Sequence, residues 1–194
     1  YVLYILFIGL TQTTITGYSF WYLWPEYPGF NAFAATLFSA LSGLMAVLFF
    51  RSFLNTAIHT PRWDKALFAI IILYAVSAVC YIIGFESYSY YLTNISGIAS
   101  VIIAIITSSI LTYKKVPSAK FFLLAWFIFF IGLVLFVLRN INVLPFNNFT
   151  NYTMQAGTAI EVILLSFALA DKINILKKDT EISQEKALKI SLEN

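Results

Sequence analysis

The chain has 194 residues, of which 60% are hydrophobic and 11% are charged, and its mean hydropathy is +0.84. A soluble domain of this length cannot bury so much apolar surface, so the composition excludes a soluble protein and predicts a membrane protein. The formal net charge of +3 comes from basic residues scattered between apolar stretches, which excludes a nucleic-acid-binding patch. One cysteine and one histidine exclude a disulfide framework and a cysteine-rich metal site, and we expect no cofactor.

Six apolar stretches follow one another, each close to the length of about twenty residues that crosses about 30 Å of hydrocarbon. They cover approximately residues 1–20, 31–54, 67–83, 90–113, 121–138 and 152–170. The first runs as one helix into WYLWPEYPGF, where Pro25 and Pro28 are expected to stop it. The pattern predicts an all-α fold, a polytopic transmembrane helix bundle over residues 1–172.

Lysine and arginine residues concentrate in alternate connections. Nine of them flank one side of the predicted membrane, whereas Arg139 is alone on the other. The nine are Arg51, Arg62, Lys65, Lys114, Lys115, Lys120, Lys172, Lys177 and Lys178. By the positive-inside rule, Tyr1 and the C-terminal tail are both predicted to lie on the cytoplasmic side of a bacterial inner membrane.

The last apolar stretch carries one acid, Glu161, at the depth of the bilayer centre. Gly157, Glu161, Leu165 and Ala168 share one helical face, so the glycine is expected to let a neighbouring helix approach the carboxyl group. An acid at this depth costs roughly 2.5–3.5 kcal/mol on insertion scales, so a partner or protonation is expected to offset that cost. Two interpretations stay open: a polar switch between two packings of the bundle, or a static carboxyl group that holds helices together.

Three polar residues near the external ends of the last two stretches are candidates for contact with a sensor domain or a ligand: Arg139, Asn140 and Gln155. A cation on this side departs from the positive-inside pattern, which is why Arg139 is singled out. The alternative is an arginine that reaches the lipid headgroups.

The helical pattern continues without Pro or Gly from the last apolar stretch into a charged tail, residues 173–194. We predict a cytoplasmic signalling helix there, with Asp171, Lys172 and Leu176 as relay residues at its start. Six positions follow the alternating three and four spacing of a coiled-coil seam in a homodimer: Ile173, Leu176, Thr180, Ser183, Ala187 and Ile190. The competing interpretation is an amphipathic helix on the membrane surface.

Several short runs resemble the bacterial seven-transmembrane receptors with diverse intracellular signalling modules. They are YLWP at 22–25, PRWDKAL at 61–67, FFLLAW at 121–126, LRN at 138–140 and QAGTAIEVILLSFALADKIN at 155–174. The resemblance implies an extracellular sensor domain before the bundle and a cytoplasmic output module after it. That module would be a histidine kinase, diguanylate cyclase, serine phosphatase or adenylate cyclase. Because the family has seven spans and six are visible, we expect the first to precede Tyr1.

The sequence therefore predicts the transmembrane signal-transducing region of a receptor, with no catalysis in this segment. A small-molecule transporter, a channel or an accessory membrane subunit is the alternative, but a transporter or channel should show several charges within the membrane, and only Glu161 qualifies. An intramembrane enzyme would need a nucleophile and base or a metal cluster within the spans, which the sequence does not offer.

Overall fold

A computed structural model of the chain describes residues 1–193, except for the side chains of residues 140, 187, 188 and 190–193. All regular structure in the described part is helical. The helices in chain order are α1 (Val2–Ile15), α2 (Tyr18–Tyr22), α3 (Pro28–Leu54), α4 (Thr56–His59), α5 (Pro61–Ile82), α6 (Glu86–Tyr113), α7 (Ala119–Asn140), α8 (Asn148–Asn151) and α9 (Thr153–Glu193).

Among the described residues, four helices are long and apolar enough to cross a membrane. They are α3, α5, α6 and the Ala119–Arg139 part of α7. The α1 helix is apolar but shorter, with 14 residues. The predicted helical, membrane-embedded class is confirmed, while a membrane span at residues 152–170 stays a prediction.

The first predicted stretch is not one continuous helix. The α1 helix ends at Ile15, and Gly17 then adopts a φ of 84° before the short α2 begins. A glycine has no Cβ and enters this left-handed region without strain, so it breaks a helix that hydropathy alone would extend. Pro28 was expected to stop the first helix, but it begins α3 instead. Proline is favourable there because the first backbone N–H groups of a helix have no partner within the helix.

The chain divides into two compact units, residues 1–111 and 112–194. In the first, α3 packs against both α1 and α5, and hydroxyl groups join α5 to α6. Ser77 Oγ donates to the Ser89 carbonyl oxygen at 2.8 Å and lies 2.6 Å from Thr93 Oγ1. Gly43 of α3 leaves the space that the ring of Tyr74 fills, so the small residue there accommodates an aromatic neighbour.

The second unit is built on the pairing of α7 with α9, with α8 in the connection between them. Asn147 caps α8: its side chain accepts from the Thr150 N–H, and the Thr150 hydroxyl accepts from the Asn147 N–H. This reciprocal bonding satisfies two backbone donors at the start of a short helix. The connection therefore returns the chain so that α9 runs back along α7.

Candidate functional site

The α7 and α9 helices meet at two glycines, Gly132 and Gly157. A Cβ at Gly132 would lie 2.7 Å from the Thr153 carbonyl oxygen and 3.2 Å from Gly157 Cα. A Cβ at Gly157 would lie 3.3 Å from Gly132 Cα. A Cβ at Gly132 would clash with the backbone of α9, and a Cβ at Gly157 would be crowded. The two glycines therefore let the backbones come this close, the arrangement that packs helices in membranes. The close approach predicted at Gly157 is present, and Gly132 is the residue that meets it.

The face of α9 that carries Gly157 is buried for almost three turns. Glu161 and Ala168 are each 0% exposed and Leu165 is 2% exposed. The neighbouring positions Ile163 and Phe167 are 54% and 59% exposed, as expected for the opposite face of a helix that packs on one side. The carboxyl group of Glu161 thus lies within protein. Its function as a switch stays a prediction.

Asp171 lies at the other end of the α7 and α9 contact. Its Oδ2 accepts a hydrogen bond of 2.8 Å from the hydroxyl of Ser118, the residue that precedes α7. Ser118 has a φ of 62° and its hydroxyl does not cap its own helix. The left-handed backbone and the buried position, 4% exposed, instead direct the hydroxyl toward α9. We call this contact the Ser118–Asp171 bond.

The other two relay candidates follow directly along α9. Lys172 is half-buried, and this burial lowers the pKa of its ammonium group because the charged form loses hydration. Leu176 is 54% exposed, and Ile173 is 44% exposed, so an apolar strip remains uncovered after the helix leaves the pair.

The external-face candidates are only partly brought together. The Arg139 Nη1 donates to the Asn151 side chain of α8, and its guanidinium lies 4.9 Å from the ring centre of Phe136 and 4.8 Å from that of Phe146. These are cation–π distances. Arg139 therefore links the end of α7 to Asn151, which lies in the connection four residues before Gln155.

Gln155 is half-buried, and its Oε1 is a buried acceptor without a hydrogen bond in the part of the chain described. The side chain of Asn140 lies outside the described residues. Contact of these residues with a sensor domain or ligand stays a prediction.

Sequence reasoning missed Gly132, Ser118 and Asn151, the partners of three candidates. Ser118 stands where an N-cap serine is common, directly before an apolar stretch, which was a usable signal. Gly132 is a lone glycine inside an apolar helix, a position that points to a close contact but not to its partner.

A second polar contact lies in the first unit, at the ends of α3 and α5. Arg51 donates through Nε to Asp64 Oδ1 at 2.8 Å and through Nη2 to Asp64 Oδ2 at 2.7 Å. Thr56 adds a hydrogen bond to the same carboxylate. The sequence does not predict this bidentate pair, because in the sequence Arg51 contributes only to the charge bias that gives the orientation.

The helical fold, with four apolar candidate spans in the described part of the chain, defines a class of protein: a multi-pass membrane protein. A family model described as 7TM diverse intracellular signalling matches residues 1–172, and the chain belongs to that family. The resemblance drawn from the short sequence runs is thereby confirmed. Neither the curated proteins nor the solved structures gave a match.

Proposed function

We propose that this chain relays an extracellular ligand-binding event through α9 to a cytoplasmic output module. The module would lie beyond residue 194 and be a histidine kinase, diguanylate cyclase, serine phosphatase or adenylate cyclase. The family is one of sensing and signalling regions, which supports a relay rather than catalysis in this segment. The bias of nine basic residues against one supports a bacterial inner membrane with the tail in the cytoplasm.

The single observation that carries the proposal is the continuity of α9. One uninterrupted helix, Thr153–Glu193, meets Gly132 near its start, bonds to Ser118 at Asp171 and then continues for 22 residues. Gly157 and Asp171 are about 21 Å apart at 1.5 Å per residue. A rotation or shift at the glycine contact is therefore transmitted along a stiff element to the tail.

Glu161 lies between these two contacts and is the proposed polar switch. The Glu161 side chain is 0% exposed, so its carboxyl group can bond only to groups within the protein. Two packings of α9 would therefore differ in the hydrogen-bond partner of this carboxyl group. Packed interfaces tend to have discrete arrangements rather than a continuous range, and that favours switching over gradual deformation.

The tail is proposed to form a homodimer through its apolar strip. Ile173, Leu176 and Thr180 line a shallow groove with Lys177 and Glu181 beside it. Burying the exposed Ile173 and Leu176 side chains against a second copy would remove them from water. Of the predicted seam, Ala187 and Ile190 have side chains outside the described residues.

The experiment places spin labels on the two exposed residues Lys120 and Lys177, both changed to Cys in a Cys80→Ser background, with the chain in nanodiscs. Their distance distribution reports α9 relative to the start of α7. We expect Asp171→Ala and Gly132→Ala to shift or broaden this distribution. Ser109→Ala is the control, because that exposed hydroxyl bonds only to its own helix. An unchanged distribution in both test variants would refute the relay.

The output is tested separately by reading the parent coding region after Asn194. A kinase, cyclase or phosphatase sequence there would name the output module. A stop codon at that point would refute the relay to a fused output, whatever the spin labels show.

A further inference from the structure

An open surface cavity of about 320 Å³ lies in the first unit, between α3, the end of α5 and the start of α6. Three tyrosines and one acid dominate its lining: Tyr81, Glu86, Tyr90 and Tyr91. Thr36, Ser87 and an alanine of α3 complete it. The volume is at the lower end of the range of roughly 300–1,000 Å³ for small-molecule sites. The lining has one carboxylate and no basic side chain.

The aromatic rings in this cavity differ in how far they are buried. Tyr81 is only 9% exposed and its ring centre lies 5.2 Å from that of Phe33 on α3. Tyr90 and Tyr91 are edge to face, with ring centres 6.1 Å apart, and are 59% and 65% exposed. One wall is therefore buried, and the other faces outward.

The acid completes an arrangement with a net negative character. Glu86 is the first residue of α6, is exposed, and lines the same cavity as Tyr81. Tyrosine faces attract cations through the negative face of the ring, and a carboxylate adds a full charge. A metal ion is a poorer fit, because no group of three His, Cys, Asp or Glu side chains occurs in the described part of the chain.

We propose that this cavity binds a small organic ammonium ion, with its charged group held by the tyrosine faces and the Glu86 carboxylate. The cavity lies where α5 ends and α6 begins, at the opposite end of α5 from the basic residues Arg62 and Lys65. In the orientation of the proposed function, it opens on the external side. The site thus deepens that function by giving the bundle a ligand of its own.

The test is saturation-transfer NMR on the methyl protons of tetramethylammonium chloride, with the full chain in maltoside micelles and ionic strength held constant by sodium chloride. Maltoside is required because phosphatidylcholine headgroups carry the same ammonium group and would compete. We expect saturable, millimolar transfer that Glu86→Gln weakens about fivefold, the upper end for an exposed charge pair. Tyr91→Leu should weaken it roughly two- to fivefold, and Tyr91→Phe should retain it because the ring remains.

Glu26→Gln is the matched control, since it removes an exposed acid from the preceding loop on the same predicted side without touching the cavity. Equal loss of binding in Glu26→Gln and Glu86→Gln would overturn the proposal in favour of diffuse surface charge. Equal competition by neopentyl alcohol, which has a similar shape and no charge, would overturn the choice of a cation. Absence of saturable transfer would overturn the site itself.

Binding in micelles needs neither a membrane orientation nor an output module, so failure here is separable from failure of the relay. Circular dichroism of each variant establishes that it is folded before its binding is compared.

Discussion

The Ser118 hydroxyl donates a 2.8 Å hydrogen bond to Asp171, a residue 53 positions later in the chain. The bond joins the residue that precedes α7 to the middle of α9, where the apolar part of that helix gives way to its charged tail. It holds α9 to the start of α7 at this transition.

Loss of the Ser118–Asp171 bond should destabilise the packing of α7 against α9. We expect Ser118→Ala and Asp171→Ala each to lower the free energy of unfolding by about 1–2 kcal/mol, because a hydrogen bond to a charged group is lost. The double variant should cost less than the sum of the two, since residues in contact are not additive. Denaturant unfolding in maltoside measures this. Additive losses would contradict a direct interaction.

The contact between Gly132 and Gly157 predicts that alanine destabilises the protein more at one glycine than at the other. Gly132→Ala should destabilise by about 1–3 kcal/mol, because its new methyl group meets the Thr153 backbone oxygen, which cannot move aside. Gly157→Ala should cost less, since its nearest contact is 3.3 Å. Thermal unfolding of both variants in maltoside measures the difference.

Gly9 in α1 provides the control, because nothing lies within 4 Å of its added Cβ. Gly9→Ala should be neutral or stabilise by up to about 1 kcal/mol through helix propensity. Equal destabilisation by all three alanines would mean that the crowding between α7 and α9 is not the cause.

Two substitutions of Glu161 separate the effect of side-chain volume from the effect of the carboxyl group. Glu161→Gln keeps the size of the side chain and should preserve the fold, whereas Glu161→Ala should cost about 2–4 kcal/mol because it empties a fully buried volume. The spin-label distance between positions 120 and 177 should also change in Glu161→Gln if the carboxyl group is the switch. If Glu161→Gln changes neither the stability nor the spin-label distance, both interpretations of this carboxyl group fail.

The Arg51 and Asp64 pair should stabilise the first unit. Their side chains are 24% and 13% exposed, so Asp64→Asn should cost about 1–3 kcal/mol through a weakened bidentate contact and a less compensated arginine. Arg62→Ala, at an exposed position in the same helix, should have little effect. The measurement is denaturant unfolding, and equal effects of the two changes would show that the contact between Arg51 and Asp64 is not the cause.

Disulfide cross-linking tests the proposed dimer. In a Cys80→Ser background, Leu176→Cys lies on the seam and should cross-link two copies, while Lys178→Cys lies on the far side of the helix and should not. Oxidation of the chain in nanodiscs followed by denaturing electrophoresis reads the result. Equal cross-linking at both positions would favour random collision, and none at either would favour a helix on the membrane surface.

The sequence by itself determined the class of protein and the face of α9 that is buried. Hydropathy is a local property, so apolar stretches of sufficient length identify helices in a membrane protein without any knowledge of their neighbours. Helical spacing is equally local, which is why Gly157, Glu161, Leu165 and Ala168 were placed on one face that the structure buries.

Only the tertiary structure decided which residues meet that face. Gly132 and Ser118 lie far from α9 along the chain, and no periodicity within one helix specifies its partner or their register. The same reason hid Asn151, which meets Arg139 at the end of α7. The break at Gly17 was equally hidden, because an apolar sequence tolerates either a continuous helix or a left-handed glycine. Contacts between helices depend on the close packing of particular side chains, and that packing exists only once the chain has folded.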